Sequence, residues 1–154
     1  MKLTILALSL AMPALAGAQE RLAFVPLDQP CRLLDTRVDA DAGGPLLPGQ
    51  IRSIEADGHC GIPMEAKGIE ANVTVTNSTG PGFLSALRPA GRIPRDPVAK
   101  TSLLNYVAGR DVANSALIML GDPNAHTWDG VFWLLSSVSG TDVVVDVVGY
   151  YVVL

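Results

Sequence analysis

Along this chain apolar and polar residues alternate at period two, and the helical spacing of three and four is almost absent. The segment IEANVTVT, 69–76, shows it most cleanly: Ile69, Ala71, Val73 and Val75 fall on one face, Glu70, Asn72, Thr74 and Thr76 on the other. That is the signature of a strand with one buried and one wetter side. Similar short runs, rich in β-branched and aromatic residues, lie at 22–27, 31–37, 50–56, 83–87, 102–107, 111–120, 130–138 and from Thr141 to the end. Pro30 is expected to separate the first two. Glycine, proline, asparagine and aspartate punctuate the intervals. The pattern predicts an all-β, single-domain antiparallel β-sandwich, jelly-roll-like, of about nine or ten short strands; a closed β-barrel is the alternative.

The final run, VVVDVVGYYVVL, is apolar on both faces at period two. One face reads Asp142, Val144, Asp146, Val148 and Tyr150; the other reads Val143, Val145, Val147, Tyr151 and Val153. Such a strand must be covered twice, between two sheets or between its own sheet and a neighbouring subunit. It is too short to span a membrane as a helix.

The N-terminus has a different texture. Met1 and Lys2 precede a run, 3–15, that is apolar but for a few small polar residues, and Ala16-Gly17-Ala18 has the small-x-small pattern of a signal peptidase site. Residues 1–18 read as a secretory signal peptide, leaving 19–154 as one β-sandwich domain. The expected location is outside the cytoplasm, secreted, at the cell surface or in a periplasm, with no membrane span after cleavage. A formal charge of −4 argues against phosphate backbones as partners, which excludes nucleic acid. Charged residues are only 17% of the chain against 49% hydrophobic, which suggests a surface partly covered by copies of itself. In an oxidising compartment the two cysteines, Cys31 and Cys60, read as a disulfide. A metal site built on His59 and Cys60 would need more ligands than the distant His126 supplies. No metal or other cofactor is expected.

Together, FVPLDQPCRLLDTR, GIEANVTVTNSTGPGFL, SLLNYVAGRDVAN and TDVVVDVVGYY resemble, in order, the recurring stretches of a secreted bacterial all-β accessory or surface domain. Those stretches are R-L-L-D-T-R, N-V-T-V-T followed by G-Y-L, L-N-Y-x-x-G-x-x-x-A-N and D-V-x-G-Y-Y. The similarity runs from about Phe24 to Tyr151. It implies a fold class and an exported location, and it brings no catalytic residues, because the family occurs as an accessory module alone, in tandem or beside secreted hydrolases. The loop RPAGRIPRDPVAKTS departs from the family by being longer and more basic.

Candidate chemistry is sparse. There is no G-x-S-x-G elbow, and only His59 and His126 could act as bases. Asp35, Asp142 and Asp146 sit among apolar residues and could form a glycosidase pair. An aspartate in an apolar strand must, however, be hydrogen-bonded or ion-paired, and CRLLDTR supplies partners. At period two Asp35 and Arg37 share a face with Arg32 opposite, so a buried structural network of Asp35 and Asp146 with Arg37 or Arg32 is the favoured reading. Asn72, Asn105 and Asn114 are expected to tie their amides to backbone. Asp39 and Asp41 faintly suggest a calcium loop, but 45–47 offers no side-chain oxygen and a solvated turn fits better. The basic loop 88–100, with Arg88, Arg92, Arg95 and Lys100, could meet an acidic polysaccharide or another cell-surface component. Trp128, in a polar turn, could stack on a sugar ring. Trp133 is expected in the core.

The expected function is therefore an exported, non-enzymatic structural or adhesive surface module that associates with itself. The alternative is a carbohydrate-binding module using Trp128 and the basic loop. A glycoside hydrolase using Asp35 and Asp146 stands behind both.

Overall fold

A computed structural model describes residues 20–38, 43–89, 101–121 and 129–154. The segment 1–18, expected to be a signal peptide, lies outside them. Eight strands are present: β1 (Leu22–Asp35), β2 (Ile51–Glu55), β3 (Gly68–Thr76), β4 (Gly82–Leu87), β5 (Leu104–Tyr106), β6 (Val112–Met119), β7 (Val131–Ser136) and β8 (Asp142–Val153). No helix occurs among the described residues.

Two four-stranded antiparallel sheets form, in the orders β1-β8-β3-β6 and β2-β7-β4-β5. The pairing has a simple rule: β1 joins β8, β2 joins β7, β3 joins β6 and β4 joins β5. This is one long antiparallel ribbon wound over itself, the jelly-roll form of the β-sandwich. Neither sheet closes, so the barrel alternative is corrected; β1, β6, β2 and β5 are edges.

The count falls to eight because 22–27 and 31–37 are not two strands. Pro30 does not break the chain: β1 runs through it at the edge of its sheet, where a missing N–H costs no ladder bond. The ladder absorbs the disturbance as a bulge, residues 27–30 standing opposite Val148 alone between the pairs Pro26–Gly149 and Cys31–Val147.

The core forms where the alternation of each strand meets its opposite sheet. Ile69, Ala71, Val73 and Val75 of β3 and Val143, Val145 and Val147 of β8 pack against Leu84, Phe132, Leu134 and Tyr106. Glu70, Asn72 and Thr74 stay half-buried, as alternation requires. Tyr106 locks β5 in place by lying against Gly82 and sharing its hydroxyl with Ser136 Oγ (3.0 Å) and the Ser139 carbonyl (2.9 Å). A Cβ at Gly82 would come within 2.7 Å of that ring, so only glycine admits it.

Two face assignments change. In β8 the pairing with β3 skips Val148 between Ala71–Val147 and Glu70–Gly149, so Tyr150 joins the face of Val147 and Tyr151 the face of Asp146. Phe24 lies across Gly149, where a Cβ would sit 2.3 Å from its ring, and meets Tyr151 at 5.2 Å between centroids. The second cover of β8 is thus partly its own chain, with Val144 only 4% exposed on the outward face. Trp133 is buried (3% exposed) but on the other side from Phe132 and Leu134, outside the sandwich core. On that same outer side Ser85 is buried and donates its hydroxyl to the Thr101 carbonyl.

Both open margins carry a cross-link. Asn114 Nδ2 of β6 donates to the Leu103 carbonyl beside β5 (2.8 Å). At the opposite margin Cys31 of β1 is bonded to Cys60 after β2, Cα atoms 5.7 Å apart. The disulfide closes a separation of 29 residues. Replacing both cysteines by serine is expected to cost about 3–4 kcal/mol, the loop-closure entropy released to the unfolded chain. Urea unfolding measures it; a loss below about 1 kcal/mol would mean that β1 is held by its ladder alone.

Candidate functional site

The stretch CRLLDTR ends β1, whose partner there is the aspartate-bearing part of β8. Arg32 stands opposite Asp146 and Asp35 opposite Val144, with Leu33 unpaired between them. That single extra residue resets the alternation, so Arg32 and Asp35 emerge on one face instead of two. The expectation of Arg32 on the face opposite Asp35 is corrected by this bulge.

An ion chain results. Arg32 grips Asp146 with two donors, Nε to Oδ1 at 2.6 Å and Nη2 to Oδ2 at 3.0 Å. Its remaining nitrogen, Nη1, donates to Asp35 Oδ2 at 2.9 Å. Arg37 returns to the same carboxylate through its backbone N–H (3.2 Å), Nε (2.8 Å) and Nη2 (2.7 Å). Asp35 is 3% exposed, while both guanidinium groups reach solvent. The network is therefore a buried carboxylate under a half-exposed lid, not a wholly buried cluster. Hydrogen bonds from Arg37 hold the Asp35 carboxyl far below the ordinary carboxylate range, against the opposing pull of desolvation. Arg37 also feels the charges of Asp142 and Asp111.

Beside it, Asp142 closes the end of the sandwich. Thr36 Oγ1 donates to its Oδ1 (2.7 Å) and Asn77 Nδ2 to its Oδ2 (2.9 Å). Thr36 Oγ1 in turn accepts the Val143 N–H at 2.9 Å. Asn77 takes a positive φ of 51°, a conformation asparagine tolerates better than most residues. Ser78 and Thr141 share a hydroxyl contact of 2.9 Å in the same corner. The partners Thr36 and Asn77 were not singled out from sequence. Thr36 lies within CRLLDTR itself, but its bond spans 106 positions and has no local signal.

The three asparagines behave differently. Asn114 reaches backbone at Leu103, Asn105 accepts from the Ser102 hydroxyl (3.2 Å), and Asn72 sits in register between Asp146 and Ser115. Asn72 is half-buried, and among the described residues its amide makes no hydrogen bond to backbone.

A second acidic group lies at the other end. Asp57, after β2, and Asp129, before β7, each bury an oxygen without a hydrogen-bond partner. Asp57 packs on Gly130, where a Cβ would meet its carboxyl carbon at 2.0 Å. Desolvation, then the charges of Glu55 and Asp129, raise its pKa above the ordinary aspartate value. Only an Asp-Gly pair in each turn hints at this meeting from sequence. Among the described residues no three histidine, cysteine or acidic side chains gather as metal ligands, and Cys60 is committed to the disulfide.

Arg88 is exposed just beyond β4. Arg92, Arg95, Lys100, Trp128, His126, Asp39 and Asp41 lie outside the described residues. Comparison with protein families, curated proteins and solved structures finds no match for the chain.

The two carboxylates predict opposite responses to acid. Asp35, depressed in the fold, stabilises fully above the unfolded aspartate pKa of about 3.9 and loses that contribution as pH falls further. Asp57, raised in the fold, favours the native state only while protonated, and that contribution is lost as pH rises through its folded pKa. Asp35→Asn should therefore lower the melting temperature at neutral pH, the gap to the native protein narrowing below about pH 4. Asp57→Asn should give a small gain at neutral pH that fades in acid. Thermal melts across pH read both; parallel curves for either variant would contradict the assignment.

Proposed function

We propose that this protein is an exported, non-enzymatic β-sandwich module that serves as a structural or adhesive surface component and associates with itself. The observation that carries the reading is the fate of the strand carboxylates. Asp35, Asp142 and Asp146 are all committed to donors of their own chain. A glycosidase pair needs one carboxyl kept protonated near its working pH. The depressed Asp35 carboxyl is the opposite of that requirement. The disulfide is compatible with an oxidising extracellular or periplasmic setting, which fits export. The resemblance to secreted bacterial accessory domains points the same way.

Expression with the native N-terminus in a bacterial host tests this reading. The product should be found outside the cytoplasm, start at Gln19 and show no free thiol. Its sedimentation should reveal mass increasing with concentration. Cytoplasmic retention with reduced cysteines, or steady glycoside hydrolysis abolished by Asp146→Asn in a folded protein, would overturn it.

One observation favours a second reading, carbohydrate binding. Leu87, the last residue of β4, pairs with Trp133 of β7. Arg88 and Asp129, which border the basic loop and the Trp128 turn, therefore stand at one end of the second sheet. Under this reading Trp128→Ala abolishes glycan retention by the folded protein; unchanged retention removes Trp128 from it.

A further inference from the structure

The four sheet edges of the sandwich are not alike. An edge strand exposes unpaired backbone groups, and folded proteins blunt them with charge, proline, bulges or brevity. β1 carries Pro26 and Pro30, two irregularities of register and the disulfide. Five-residue β2 bears Arg52 and Glu55, and β5 has only three residues. β6 has no such device on its backbone edge; its link to the Leu103 carbonyl runs through the Asn114 side chain. Its eight residues, VANSALIM, contain no charge and no proline, and its register against β3 runs without a shift from Val112 to Ile118 and on to Met119. Leu117 is 46% exposed, with Ala113, Asn114 and Ser115 exposed beside it.

The direction of the open groups follows from the flanking hydrogen bonds. Leu120 donates its N–H to the Lys67 carbonyl, toward β3, and Gly121 donates to Val131, away from it. Alternation at period two then turns the backbone of Ile118, Ala116, Asn114 and Val112 toward β3. Ala113, Ser115, Leu117 and Met119 direct their N–H and C=O groups outward from the sheet.

We propose that β6 is the self-association edge: two copies pair β6 with β6, antiparallel about a two-fold axis, joining their β1-β8-β3-β6 sheets into one. The inference rests on the self-association reading above and names its surface. A two-fold seam sets each strand against itself, so any charge near the axis meets its own copy. β6 is free of that penalty. With Ala116 on the axis, Leu117 faces the partner's Ser115 and Met119 faces the partner's Ala113, large against small at each crossing. The outward groups of Ser115 and Leu117 then meet as a hydrogen-bonded pair, and those of Ala113 and Met119 as another. A seam one strand wide is narrower than a standard interface of ~1,200–2,000 Å². Association is accordingly dependent on concentration.

Proline placement separates this seam from the fold. Ser115→Pro removes an outward N–H and leaves the β3 ladder whole; Leu117→Lys sets a like charge near the seam and keeps the backbone untouched. Sedimentation velocity over a concentration series reads the mass of each, with melts showing that both fold. The expected result is a native protein that shifts from monomer toward dimer while both variants stay monomeric. A native protein that dimerises with both folded variants following the same curve overturns the β6 seam and leaves self-association standing. A native protein that stays monomeric at every concentration overturns both. If Ser115→Pro fails to fold, Leu117→Lys alone decides between these outcomes.

Discussion

The carboxylate of Asp35 is the interaction on which this arrangement turns. It lies at the end of β1, almost without solvent, where the edge strand leaves β8 and the chain crosses to the second sheet. A buried, unpaired carboxylate would be among the costliest groups a fold can hold. Here Arg37 supplies three donors and Arg32 a fourth, and Arg32 extends the chain of charge to Asp146 on the neighbouring strand. The bulge at Leu33 makes this possible, because without it Arg32 would point to the far face. The same groups stand beside Val144, which stays buried on the outward side of its sheet. Register, edge and outer cover thus share one electrostatic anchor.

That anchor also explains what the rest of the polar end does. Thr36 follows Asp35 directly, so fixing one places the other's hydroxyl between Asp142 and the Val143 amide. Asn77 reaches the same Asp142 from the β3–β4 turn, and Thr141 and Ser78 complete the corner. Connections from three parts of the sequence are joined there by neutral donors around carboxylates. Such a corner is built to hold geometry, since every oxygen of Asp142 already has a partner. The Asp57–Asp129 pair at the opposite end is different in kind. Its carboxyls are under-satisfied and repel one another, so they subtract from stability where the first network adds to it.

Much of the fold was legible because antiparallel strands with one wet face write their alternation directly into sequence. The 69–76 segment and the closing run are the clearest cases, and the cysteine pair followed from the reading of the N-terminus. What was not legible came from irregularities one residue wide. The extra residues at Leu33 and Val148 each flip the face of everything beyond them, and nothing in a run of leucines or valines marks where a bulge falls. Pro30 misled for the converse reason: whether proline ends a strand depends on whether that strand is an edge, which is a property of the sheet. Trp133 was buried as expected but on the outer side, where composition alone cannot tell one cover from another. Of the candidate site, the Arg–Asp partners were readable from CRLLDTR and the aspartate of the last strand, whereas Thr36, Asn77 and the Asp57–Asp129 meeting depend on contacts between distant stretches.

Asp35 is the residue that decides whether the strand aspartates are structural. A side-chain carboxyl titration of Asp35 by carbon-13 NMR measures this directly in the native protein. Ionisation persisting well below the ordinary aspartate midpoint of about 3.9 is the predicted result. A midpoint at or above that value would mean that the guanidinium clamp does not govern this carboxylate, and would return it to the pool of catalytic acids.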